Sequence, residues 1–321
     1  MVTLVWRTDA HLADTPPSSR TDDWAATICG KLEQIGEIAR EVSADAVIDG
    51  GDFYHIKSPS RTTHALNQRI AEIHAKYPCP TFCNVGNHDV KYGEIRYLSE
   101  APLGVLFASG VFRRLYDQHE ALIERGGIKV RVVGVPYHGV KYDLARIAKA
   151  AERGDETYLV VAAHLLASKA GGEMFESEDI LKYGDLPEGP DLWMLGHWHK
   201  DQGVTALDDR RSVVNIGSLS RGALTMDETT RTPSVAVLRF FDNTVEVEVR
   251  PLEVQPAEKV FDITGRIRAE SRKMTADSFI ESIRESLKVT PEKSLLDTVR
   301  EQPDVPELVR ERAILYLEQS T

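Results

Sequence analysis

Five apolar runs in this chain end on side chains that can hold a metal ion. They lead into Asp9-Ala10-His11, Gly51-Asp52, Gly86-Asn87-His88-Asp89, Ala163-His164 and Gly196-His197-Trp198-His199. The runs themselves, 2–6, 46–49, 81–85, 158–163 and 192–195, are short and apolar, as buried strands are. Two helical stretches separate the first three. In 23–42, residues Trp24, Ile28, Leu32, Ile35, Ala39 and Val42 recur at steps of three and four, one face of a helix that Asp22 or Asp23 can cap. The second is 61–76, closed by Tyr77-Pro78. Strand-helix-strand-helix-strand with apolar strands predicts a largely parallel sheet covered by helices. In such α/β sheets ligands bind beyond the carboxyl ends of the strands, so donors from distant parts of the chain converge on one crevice.

The spacing carries chemistry. D-x-H and H-x-H put two side chains on one side of an extended backbone, because side chains alternate with period two, and each pair can grip one ion. Asn and Asp offer oxygen and imidazole offers nitrogen. That mixture suits Mn, Fe or Zn better than Ca, and without thiolates it is no structural zinc knuckle. Two ions need a shared ligand, and a carboxylate with two oxygens can bridge them. Asp52, set on a glycine turn that lets backbones approach closely, is the residue placed to do so. The other histidines, His64, His74, His119 and His138, read as solvated or satisfied.

The remaining pattern adds strands at 129–135, 212–216, 234–241 and 244–250. The last three alternate like antiparallel strands, and the final two are joined across Asp242-Asn243. Near "VQPAEK" the composition changes, which places a boundary at about residue 252: a domain of 1–252 and a reduced cap and helical tail of 253–321. In the tail, 277–288, 291–300 and 306–318 read as helices, two of them opened by proline. With 321 residues, 42% of them hydrophobic, the chain can bury a sizeable core. It has no apolar run of about 18 residues and no signal-peptide pattern. Its three cysteines, Cys29, Cys79 and Cys83, read as reduced and structural. These features predict a cytoplasmic protein without a membrane span. The net charge of -11 weighs against non-specific nucleic-acid binding by the subunit alone.

The five motifs resemble the calcineurin-like metallophosphoesterase superfamily over about residues 1–250. Within it, "GGDFYHIKSPSRTTH" (50–64) and "NIGSLSRG" (215–222) resemble stretches of the SbcD-type nucleases of DNA double-strand-break repair. The resemblance implies an α/β fold, a four-layer sandwich of two mixed sheets flanked by helices, with a small C-terminal, mainly helical region. It implies that Asp9, His11, Asp52 and His199 hold one divalent ion and that Asp52, Asn87, His164 and His197 hold the other. The family's usual metal is Mn²⁺. His88 would face the scissile phosphate, oriented by Asp89, and His55 would be the extra histidine of the nuclease branch. The implied activity is metal-dependent phosphodiester hydrolysis on DNA, as an exonuclease and endonuclease in repair or recombination. The implied partner is an SbcC-type coiled-coil ATPase, with a homodimer as a further expectation.

Two rivals remain in the sequence. A phosphodiesterase for cyclic nucleotides or nucleotides fits the acidity and the short tail, while His55 and the stretch after it oppose it. A non-catalytic regulatory subunit conflicts with the complete ligand set and His88. The tail's apolar stripes, Phe279, Ile280, Ile283 and Leu287 in one helix and Leu308, Val309, Ile314, Leu315 and Leu317 in another, suit either a partner's groove or the chain's own core.

Overall fold

Every residue of strand β1 (Val2–Arg7) is buried, so both of its faces must be covered. Val2, Leu4 and Trp6 enter one apolar core and Val5 enters another, as a period of two dictates. The computed structural model describes residues 1–55, 62–170 and 178–262. The expected helices of 277–288, 291–300 and 306–318 lie outside the described residues.

Two six-stranded mixed sheets make the centre. The first runs β14 (Val245–Pro251), β13 (Ser234–Phe240), β1, β2 (Ala46–Asp49), β3 (Thr81–Cys83), β4 (Arg113–Arg114). From β1 to β4 the neighbours are parallel, and β13 and β14 add antiparallel strands at the other edge. The second runs β11 (Asp201–Ala206), β12 (Ser212–Ile216), β10 (Leu192–Gly196), β7 (Tyr158–His164), β6 (Ile128–Val135), β5 (Glu120–Arg125). Its four inner strands are parallel and both edges antiparallel. A short ladder joins β8 (Ala167–Ser168) to β9 (Leu181–Lys182).

The sheets pack face to face. Leu4, Trp6, Ile48, Val160, Met194 and Val214 share the core between them. On the outer face of the first sheet lie α1 (Trp24–Glu41), α2 (His64–His74) and α3 (Pro102–Ala108), burying Trp24, Ile28, Leu32, Ile70 and Leu103. Asp23 caps α1 by accepting from Ala26 N–H at 2.9 Å, and Thr63 caps α2 by accepting from Leu66 N–H at 3.1 Å. On the far face of the second sheet, α4 (Leu144–Ala150) buries Ile147 against a core that includes Val161, Trp193 and Val213. The order is helix, sheet, sheet, helix, the four-layer sandwich. The first compact unit runs to Phe261, with Val260 and Phe261 buried in it. Among the described residues no helix is long and apolar enough to cross a membrane.

One strand differs from its sequence reading. Residues 212–216 do not begin an antiparallel run with 234–241. They pair in parallel with β10 and antiparallel with β11, in the other sheet. Their apolar pattern fits a strand with covered faces whichever way its neighbours run.

Register decides where the site forms. Arg7 pairs with Asp49, and Asp49 with Cys83, so β1, β2 and β3 end level. Gly196 pairs with His164, so β10 and β7 also end level. Asn84, just past β3, donates from Nδ2 to Val135 O and Ala162 O, both at 3.0 Å. This buried amide ties the ligand-bearing end of the first sheet to that of the second.

Candidate metal centre

The pairs that sequence periodicity assigned to extended backbone are delivered by kinks instead. Strand β1 stops at Arg7 and β10 at Gly196, before the ligand residues begin. Asp9 (φ 55°), His11 (φ 46°), Asp52 (φ 50°) and His197 (φ 85°) all take left-handed conformations, four of the seven non-glycine residues that do so among those described. Each such residue costs on the order of 1–3 kcal/mol, and strain of this kind gathers at functional sites. Hydrogen bonds from neighbouring loops hold it: Asp9 N–H donates to Gly51 O at 3.0 Å, His11 N–H to Asp52 O at 2.9 Å.

Glycine brings the loops together. A Cβ on Gly86 would lie 2.1 Å from Asp52 Oδ1, and one on Gly51 (φ 98°) would lie 2.6 Å from Gly86 N. No larger residue leaves Asp52 where it is.

The side chains then converge. Asp9, His11 and His199 bring donor atoms within 4.8 Å of one another, and so do Asp52, His164 and His197. Asp52 Oδ2 lies 3.7 Å from His11 Nε2 and 3.4 Å from His164 Nε2, between the two groups. Its Oδ1 accepts from His88 N–H at 2.7 Å. Asp9 accepts from Thr8 Oγ1 at 2.5 Å and from His197 N–H at 3.0 and 3.2 Å. His164 turns Nδ1 to Gly50 O at 3.0 Å, which leaves Nε2 facing Asp52.

The residues fit a pair of divalent ions. Among the described residues, buried Asn87 Oδ1 makes no hydrogen bond and buried His164 Nε2 has only the long 3.4 Å approach to Asp52 Oδ2, a state that costs about 1–3 kcal/mol per group unless something else binds it. His164 belongs to the second donor group, and Asn87 is the oxygen donor expected beside it. The set is all oxygen and imidazole nitrogen, the donors of Mn, Fe and Zn sites. Electrostatics agree. Burial works against charge on Asp52, yet the His164, His11 and His88 rings hold its carboxyl well below the usual range. Burial also opposes charge on His164, but Asp52 pushes that imidazole up to about 9. Burial, followed by His199, drives His11 well below the ordinary histidine value. A buried carboxylate held anionic among imidazoles suits a bound cation.

His88 and His55 sit beside these groups. Their rings stack at 5.2 Å and 14°, and both stand edge-on to His11. The expected role of Asp89 needs correction. Its carboxylate accepts from Tyr54 N–H at 3.0 Å and Gly86 N–H at 2.9 Å. It therefore fixes the backbones on either side of Asp52, while the His88 ring is oriented by its own Nδ1 contact with His55 O at 3.0 Å. A fully buried carboxylate at this turn satisfies stranded amides first.

Sequence reasoning missed a second support. The loop 218–220 donates its N–H groups to His199 O, Thr8 O and Asp9 O. Its carbonyls are met by basic side chains, Ser218 O and Ser220 O by Arg231 and Leu219 O by Lys31 at 2.7 Å, while Arg20 donates to the next carbonyl, Arg221 O, at 2.9 Å. Lys31 had a legible signal, a charge on the apolar face of α1 between Ile28 and Leu32. Glu178, whose Oε1 lies 3.0 Å from His197 Nε2, had none.

The family model for calcineurin-like phosphoesterases matches residues 8–201, which include all five motifs. No curated protein matches the chain in sequence. Among solved structures, the sulfate thiohydrolase SoxB of Thermus thermophilus aligns with TM-score 0.48 and 13% identity over 86% of this chain and 61% of that one. The purple acid phosphatase PPD1 of yellow lupin gives 0.49 and 14% over 78% and 51%. A dimetal phosphatase of Danio rerio gives 0.49 and 10% over 78% and 96%. The chain thus spans less than two thirds of the first two.

Proposed function

The chain belongs to the calcineurin-like phosphoesterase family, and on that premise we propose that it is a two-metal phosphodiesterase acting on DNA, of the SbcD type. The observation that carries the DNA reading is the His55–His88 stack at the rim of the centre. A phosphate monoester needs one group to meet its leaving oxygen. Two stacked imidazoles beside the ions offer donors to a phosphodiester's leaving oxygen and to the flanking backbone.

The roles follow from the geometry. When bound, divalent ions supply Lewis acidity toward a phosphoryl oxygen and toward the attacking water. Asp9, His11, Asp52 and His199 would hold one, and Asp52, Asn87, His164 and His197 the other. With Nδ1 engaged by His55 O, His88 has Nε2 left to face substrate, where its imidazolium form can protonate the leaving oxygen. Asp89 and Gly86 keep Asp52 in register with both groups.

Mn²⁺ is our choice of metal. A partner ATPase of the SbcC type, gripped by the tail beyond residue 262, would supply the positive DNA track that an acidic chain lacks. The same net charge of -11 favours the second reading, a small phosphodiester such as a cyclic nucleotide.

The test is a substrate panel on the full-length, Mn²⁺-loaded protein: linear duplex DNA, circular single-stranded DNA, a cyclic nucleotide and bis-p-nitrophenyl phosphate, with Asp52→Asn as the inactive control. DNA cleavage at the highest kcat/KM supports the proposal. Turnover of the cyclic nucleotide with DNA left intact overturns it.

A further inference from the structure

We propose that Glu178 is the positioning residue of the second ion's histidine, an inference that rests on the metal-centre reading above. His197 has two ring nitrogens. Nε2 lies 3.0 Å from Glu178 Oε1, so a proton there is donated to the carboxylate and Nδ1 is the atom left with a lone pair for a metal. His164 uses the complementary arrangement, Nδ1 on Gly50 O and Nε2 turned toward Asp52 in the donor group. Metal-bound histidines regularly give their second N–H to a carboxylate or carbonyl, which fixes tautomer and ring plane. The two histidines of this ion therefore have one partner of each kind.

The carboxylate is itself held. Tyr142 donates its hydroxyl to Glu178 Oε1 at 3.1 Å and accepts Leu166 N–H at 2.8 Å. Leu166 lies two residues beyond His164. The chain Leu166, Tyr142, Glu178, His197 thus couples the placement of one imidazole ligand to the strand end that carries the other. The Glu178 and His197 side chains are each only 14% exposed, so this is not a solvated surface pair, for which about 0–1 kcal/mol would be expected. The Tyr137 ring, with its centroid 5.4 Å from that of His197, covers the same imidazole from another side.

The experiment is Mn²⁺ binding by calorimetry on the full-length protein and on Glu178→Ala, Glu178→Gln, His197→Ala and the Glu178→Ala/His197→Ala double variant. Wild type should bind two ions. Glu178→Ala should weaken one of them by about 10–100-fold and leave the other unchanged, and excess Mn²⁺ should restore its phosphodiesterase rate. In the His197→Ala background the second substitution should add nothing, because Glu178 acts through His197. Glu178→Gln, close to isosteric, should bind at an intermediate level and guards against a folding defect in the alanine variant. Additive losses would make Glu178 a ligand in its own right and overturn the inference, as would equal weakening of both ions or no change. A wild type that binds no second ion would overturn the metal-centre reading itself, a result distinct from all of these.

Discussion

His11 Nε2 lies 2.8 Å from His199 Nε2. Two lone pairs cannot face each other at that distance, so a shared proton or a cation must lie at this point, and Asp9 Oδ1 stands 3.9 and 3.7 Å from the same two nitrogens. A cation binding the folded form alone stabilises it by about 2.7 kcal/mol at one hundred times its dissociation constant. For a domain of this size that amounts to a rise of about 5 °C in Tm. Thermal melts with Mn²⁺ and with excess EDTA should differ by that amount, and identical melts would argue that nothing binds.

Gly86→Ala should disable the site while sparing the fold. Its Cβ would overlap Asp52 Oδ1 at 2.1 Å and Asp52 N at 2.5 Å. Overpacking costs about 1–3 kcal/mol of stability, but displacing the shared carboxylate should lower kcat/KM by about 10³-fold, or ~4 kcal/mol in the transition state. Gly30→Ala, in α1 with no atom within 4 Å of its new Cβ, is the control and should stabilise by about 0.5–1 kcal/mol. Steady-state kinetics and melts on both variants check the contrast.

Lys31 makes a pH prediction. It is buried and bonded to Leu219 O at 2.7 Å, and burial, then Arg221, Arg20 and Arg231, hold its pKa well below the usual 10.5. Between the folded value and 10.5 the unfolded chain binds more protons than the native one, so stability rises with pH. The contribution is complete above the unfolded value and lost as pH falls through the folded one. The stability of wild type minus that of Lys31→Met should therefore climb with pH at no more than about 1.4 kcal/mol per unit. Urea unfolding from pH 7 to 10 measures it, and a falling difference would contradict the burial argument.

His55→Ser should cut DNA hydrolysis at least about tenfold, or ~1.4 kcal/mol, and leave bis-p-nitrophenyl phosphate turnover nearly intact. His55 reaches the centre through its stack on His88, through its backbone carbonyl and through Nδ1, 3.3 Å from His11 Nδ1, and only the carbonyl survives the substitution. Equal losses on both substrates would place His55 in the general chemistry and remove the reason for choosing DNA.

What was legible followed burial. Residues 46–49 and 212–216 read as strands with their observed bounds because each carries an apolar core, Ala46–Ile48 in one and Val213, Val214 and Ile216 in the other, buried in a covered sheet. The edge strand β14 was read as 244–250, but the edge strands β5 and β11 were missed. In β5, "EALIER", Ala121 is the one buried residue, and β11 has none, so neither has an apolar pattern to read. The candidate donors could be read because each motif is local. Their delivery by left-handed kinks was not, since Asp and His are enriched at positive φ but mostly occupy other conformations. Glu178 lies 19 residues from His197, a distance that only the fold closes.

Anomalous diffraction from Mn²⁺-soaked crystals is the most direct test of a shared centre. The geometry predicts two peaks about 3.5–4 Å apart. One should lie against Asp9, His11 and His199, the other against Asn87, His164 and His197, with the Asp52 carboxylate between them. A single peak, or two peaks with Asp52 touching neither or only one, would contradict the bridged pair on which the proposed chemistry depends.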